Sequence, residues 1–119
     1  MTDKIIERLK TGAIKNVYAF GGTTQKQTPY IVVKPESGFL EGQRDFRIFV
    51  HMPPGQQLAL EDYTFNTLSV LLPDGYQVIT RNGNVAELLQ TQEYSDIITN
   101  NDDGTISMER RFMSPFILF

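Results

Sequence analysis

RDFRIFVHM, residues 44–52, decides the fold class, because its side chains alternate without interruption. Phe46, Ile48, Val50 and Met52 fall on one side, and Asp45, Arg47, Phe49 and His51 on the other. A period of two over nine residues is the pattern of a strand with one face on an apolar core and the other meeting something partly polar. Pro53, Pro54 and Gly55 end it.

Working outward, the sequence before this strand supplies a helix and two further strands. Thr2 and Asp3 suit a helix start, Ile5, Ile6 and Leu9 share one helical face, and Gly12 marks the stop. KNVYAF reads as a first strand and YIVVK as a second, bracketed by Pro29 and Pro35, which cannot donate to the interior of a ladder. Residues 21–28 and 37–43 are loops, and Phe39 with Leu40 at the tip of the second are unusual for a solvated turn.

After the strand the period becomes helical over residues 56–72. At 100° per residue, Leu58, Phe65, Leu68 and Leu72 make one apolar stripe, and Ala59, Leu60, Tyr63, Val70 and Leu71 another. Asp62, Asn66 and Ser69 form a narrow polar strip between them, so this helix is expected to be covered on two sides, the second cover being a neighbouring subunit. YQVITR reads as a strand. Asn82-Gly83 suits a tight hairpin, but Asn84 with Glu87 resembles a capping pair, and Val85, Leu88 and Leu89 sit at helical spacing; a short helix over 85–91 is the favoured reading. YSDIIT and TISMERRF flank Asp103-Gly104 as a hairpin, and SPFILF continues past Pro115. The order predicts one α+β domain over residues 1–119, an antiparallel or mixed β-sheet with helices packed mainly on one face.

The composition narrows the function classes. The 119 residues hold no cysteine, which excludes thiol chemistry and Cys-based zinc sites. With 11 basic residues scattered along the chain and a net charge of −3, binding of nucleic acid through a basic face is not expected. The charged N-terminal stretch lacks the apolar centre of a signal peptide, and no run approaches a membrane span, so a protein of the cytoplasm, or of an assembly built there, is expected.

Candidate chemistry is sparse. Aligning Gly104 with the glycine of a calcium loop puts Thr99 first and Arg110 last, where carboxylates are required; Asp103-Gly104 reads instead as the positive-φ pair of a two-residue hairpin turn. Gly21-Gly22-Thr23-Thr24 lacks the lysine and the following helix of a phosphate loop. His51 is the only histidine and anchors one reading, a small ligand-binding or enzymatic domain using Asp45, Arg47 or a nearby tyrosine. Arg110 and Arg111 point to opposite faces of a strand, as ion-pair or acidic-partner contacts. Eight phenylalanines and five tyrosines without tryptophan favour interface burial as much as core. No catalytic, cofactor or metal residue is assigned.

The aromatic strand NVYAF, the strand PYIVVKP, RDFRIFVHM running into QQLALEDYTFNTLSVLL, and a closing hairpin ending ERRFMSPFILF resemble, in their order, the small tail-terminator or tail-to-head joining proteins of long-tailed bacteriophages. The resemblance covers most of the chain as an order of elements and rests on no invariant motif. It implies a non-enzymatic virion protein, assembled in the host cytoplasm as a homo-oligomeric, hexameric ring that caps the tail tube. Its implied partners are further copies of itself, the tail tube protein and a head completion or connector protein. The contact residues expected from the sequence are Phe39, Leu40, Tyr63, Val70, Arg110, Arg111, Phe116 and Phe119. A protein-binding adaptor that forms no ring is the further alternative.

Overall fold

In the computed structural model the described residues are 1–22, 26–37, 43–80, 82–115 and 117–118, with the side chains of 92–96 and 117–118 outside the description. The chain is α+β. Helix α1 (Thr2–Leu9) precedes strands β1 (Val17–Ala19), β2 (Tyr30–Ser37) and β3 (Arg44–Met52). Helix α2 follows, made of Gln57–Asp62, a π-helical turn Tyr63–Thr67 and Leu68–Leu71. Strands β4 (Tyr76–Ile79), β5 (Val85–Asn100), β6 (Ile106–Ser114) and β7 (Ile117–Leu118) complete it.

The sheet runs β1-β2-β3-β6-β5-β4, with β7 also paired to β5. Only β1 and β2 are parallel; the other pairs are antiparallel, so the sheet is mixed. It curls into a half-barrel that holds the two helices, and two register shifts in β5, between Gln90 and Tyr94 and between Ser95 and Thr99, are irregularities of the kind that bend a strand.

The alternation of β3 emerges as read: Phe46, Ile48, Val50 and Met52 are buried, with half-buried neighbours between them. They join Ile5 and Leu9 of α1, Ile31 and Val33 of β2, Leu60, Leu68 and Leu71 of α2, and Met108 and Phe112 of β6 in one core cluster. β2 continues through Pro35, which stands opposite Phe46. The reason is that β1 covers only Ile31 to Val33, so from Lys34 onward β2 has an open edge, where a missing N–H costs no ladder bond.

Three expectations are corrected. Residues 85–91 are not a helix but the start of β5, paired with β4 through Ala86 opposite Val78 and with β7 through Ala86 opposite Ile117. Val85, Leu88 and Leu89 fit a helix face, but Ala86 and Leu88, two apart, are the fully buried pair, and cross-strand pairing prevails over local spacing. The Asp103-Gly104 turn is a longer loop: Asn101 N–H donates to Thr105 O (2.9 Å) and Gly104 N–H to Asn101 O (3.0 Å), with positive φ only at Gly104. Thr80 and Asn84 close the β4–β5 hairpin in the same way, with Gly83 at φ +80°.

The third correction concerns α2. Leu68 N–H donates to Tyr63 O, five residues back, and this π-turn shifts the phase of the helix by one residue. Leu60, Tyr63 and Thr64 before it and Leu68, Leu71 and Leu72 after it therefore form one buried face. Leu58 and Val70, read from the sequence as members of two different stripes, both lie outside that face, at 81% and 72% exposure. On the C-terminal strand, Ile117–Leu118 pairs with β5 of its own subunit.

Candidate functional site

The face of the sheet away from the helices collects the polar half of the β3 alternation. Across the strands, Tyr30 stands opposite His51, His51 opposite Ser107, and Ser107 opposite Thr99. A second row runs Tyr18, Val32, Phe49, Glu109, and a third Lys34, Arg47, Arg111. Opposite pairs on one face are close enough to touch. The Tyr30 and His51 rings stack at 4.3 Å and 11°, and Tyr18 meets Tyr30 edge-on at 6.0 Å.

The rows line a cavity of about 590 Å³. Val32, Phe49 and the exposed Phe20 and Ile97 are among its apolar lining, and His51, Asn101 and Ser107 among its polar lining. Arg47 lines it too, but its guanidinium is already engaged by Glu36 (3.2 Å) and by Glu109 (2.8 Å from Nε) while lying 5.2 Å from the Phe49 ring. Lys26 lines it too, near enough for its charge to act on His51; its Nζ donates to Gly22 O at 3.5 Å and sits 5.8 Å from the Tyr18 ring, with no carboxylate at ion-pair distance among the described residues.

The 101–105 turn tightens the polar end. Asp103 Oδ1 accepts from the Thr105 amide (3.0 Å) and the Thr105 hydroxyl (2.7 Å), and Oδ2 accepts from the Tyr30 hydroxyl (2.9 Å). The Thr105 hydroxyl and amide hold the Asp103 carboxyl below its ordinary range. Burial pushes the Tyr30 phenol up to about 12, reinforced by Asp103. Burial likewise lowers His51, against the pull of Asp103, so its ring is neutral at pH 7.

The hydrogen bonds then fix the histidine tautomer. The Thr105 proton is committed to Asp103 by the shortest bond in the turn, so Thr105 Oγ1 meets His51 Nδ1, 3.2 Å away, as an acceptor. Nδ1 therefore carries the ring proton and donates it. The competing arrangement, Asn101 Nδ2 donating to Nδ1, spans 3.4 Å, and that amide has Thr105 Oγ1 and Ser107 Oγ at 3.0 Å instead. His51 Nε2 is left with a lone pair and no partner among the described residues.

The sequence expected Asp45 or Arg47 to be the partner of His51. Asp45 lies six residues away along β3, roughly 20 Å, and accepts from Gln43 instead; Arg47 is held by its two glutamates. The carboxylate that acts on His51 is Asp103, through Thr105, and the nearby tyrosine is Tyr30. The composition signals for this cluster were present, but it forms only when the β2–β3–β6 register is known.

The expected contact residues separate. Tyr63 and Arg110 lie inside the subunit, at 6% and 7% exposure: Tyr63 packs in the core against Gly12, and Arg110 donates to Ser69 Oγ (2.6 Å) with the Thr64 and Phe65 carbonyls at 3.5 and 3.4 Å. Both are buried within this subunit. Arg111 is half-buried on the opposite face, and Val70 is exposed. Phe39, Leu40, Phe116 and Phe119 lie outside the described residues.

No known protein family matches this chain, and no curated protein matches it. A solved structure that carries no functional description is similar to it over 98% of this chain and 89% of its own, with a TM-score of 0.64 at 12% sequence identity. That likeness is one of fold.

Proposed function

We propose that this protein is a structural assembly subunit, of the tail-terminator or head–tail joining kind, that forms a homo-oligomeric ring capping a phage tail tube. Its partners in this reading are further copies of itself, the tail tube protein and a head completion or connector protein, within the virion. The order of elements supports it, as does the distribution of exposed apolar side chains.

The observation that carries it is that both open edges of the sheet hold one. Phe20 follows β1 at one edge, and Ile79 lies in β4 at the other, both more than half exposed, while Leu58 and Val70 stand on the outer side of α2. Single exposed apolar residues are ordinary on any protein. Their occurrence at opposite edges is what a head-to-tail ring requires, because each subunit then offers two different surfaces.

The test pairs assembly with folding. Sedimentation and electron microscopy of the wild-type protein, alone and mixed with tails, are expected to give a closed ring or density at the tail end. Phe20→Glu with Ile79→Glu should abolish it while leaving the unfolding free energy within about 0.5 kcal/mol of wild type, as for other exposed sites. A wild-type chain that stays monomeric at high concentration and leaves tail ends bare would end this reading.

A further inference from the structure

The cavity on the helix-free face carries an assignment independent of ring formation. We infer that it is a binding site for a small aromatic carboxylate that also bears a hydrogen-bond donor. Three features of the cavity select that chemistry.

Its volume, about 590 Å³, lies in the range of small-molecule sites, which combine an apolar lining with a few placed polar groups. Val32 and Phe49 give the lining apolar surface against which a ring can pack. His51, in the same lining, presents the Nε2 lone pair, held in that tautomer by Thr105 and, through it, by Asp103. An acceptor fixed this way favours a ligand hydroxyl or N–H, because a site built to pair a polar group is left with an unmet partner by an analogue lacking it.

Lys26 lines the same cavity. Arg47 cannot serve as the anion site, since two glutamates already neutralise it, whereas the Lys26 ammonium has one long bond to Gly22 O and no carboxylate among the described residues. The wall beside it is the Gly21-Gly22 backbone, where even a built Cβ at Gly21 meets nothing within 4 Å, so a carboxylate has room to approach. The complementary ligand therefore carries both an anion and a donor on an apolar body.

The probe is 4-hydroxyphenylacetate, titrated into the full-length protein and followed by amide and imidazole nitrogen NMR. Saturable one-to-one shifts are expected at Val32, Phe49, His51 and Ser107, and the imidazole spectrum should show Nδ1 protonated and Nε2 bare. Phenylacetate, without the donor, and 4-methylphenol, without the anion, should each bind at least about fivefold more weakly, the size of one polar contact of about 1 kcal/mol. Lys26→Met should reduce 4-hydroxyphenylacetate to the level of 4-methylphenol and leave 4-methylphenol itself unchanged. His51→Phe, which keeps the stack on Tyr30, should erase the preference for the hydroxyl; if that variant fails to fold, the wild-type probe series and the tautomer decide. No saturable shift, three probes of equal affinity, or a proton on Nε2 would each overturn the assignment, and none of these outcomes touches the ring.

Discussion

Replacing Arg110 with methionine isolates what the guanidinium does beneath α2. The π-turn puts the Thr64 and Phe65 carbonyls and the Ser69 hydroxyl in one buried place, and Arg110 Nη1 reaches all three. Of these three the Ser69 contact, at 2.6 Å, has the length of a strong bond; the carbonyl contacts at 3.4 and 3.5 Å are weak. Methionine keeps most of the aliphatic stem and its packing near Phe112. Phe65 O also keeps the Ser69 hydroxyl, which donates to it at 2.7 Å, so few acceptors are stranded. The net loss is then one charge-assisted bond, partly offset by no longer burying a cation, or about 2 kcal/mol. In urea this is a midpoint shift of about 1 M at a slope of about 2 kcal/mol/M. Arg110→Lys should lose less, since an ammonium can keep one charge-assisted bond. Adding Ser69→Ala to Arg110→Met should cost less than the sum of the single changes, because the two groups are bonded partners. If Arg110→Met unfolds within 0.5 kcal/mol of wild type, or if it weakens assembly without changing stability, the residue acts at a partner surface and its interior role is mistaken.

Gly12 approaches α2 so closely that a Cβ would lie 2.8 Å from Leu71 Cδ1 and 2.9 Å from the Tyr63 hydroxyl oxygen. Gly12→Ala should therefore destabilise by about 1–3 kcal/mol through overpacking, and an unchanged thermal midpoint would contradict it. Stability should also depend on pH at both ends. Tyr30 has its pKa raised from 10.0 to about 12 in the folded chain, so its contribution is complete below pH 10 and fades between 10 and about 12; Tyr30→Phe should reduce the alkaline slope in equilibrium unfolding, leaving the part owed to Tyr63, whose phenol burial also raises. In acid, His51 is depressed below 6.5, so protonation favours the unfolded chain and stability falls as the pH drops below 6.5. Asp103, lowered from 3.8, adds a second loss only below that value. A profile flat from pH 7 to 4 would show that His51 is not buried as the sheet places it.

The parts of this fold that were legible in the sequence are those set by one local period. Nine residues of strict alternation in β3, and Ile5 with Leu9 in α1, each meet one core, and burial follows the pattern residue by residue. Residues 85–91 failed because three apolar positions satisfy two periods at once, and the deciding partners, Val78 of β4 and Ile117 of β7, come from other segments. In α2 a one-residue shift at the π-turn made a single buried face look like two stripes, and with it a second cover was inferred for Tyr63, which needs none. The site was hidden for a related reason. Tyr30 and Asp103 are 73 residues apart, and the sequence gives each a sufficient local role, one in a strand and one in a turn. The β2–β3–β6 register puts Tyr30, His51 and Ser107 side by side, and the extra residue in the 101–105 loop turns Asp103 back toward the Thr105 hydroxyl that orients His51. The helix-side half of the β3 alternation is thus specified by burial alone, whereas the half that faces the cavity acquires its chemistry from neighbours across the sheet; a change at Thr105, which belongs neither to the core cluster nor to the cavity lining, should disturb the second half and spare the first.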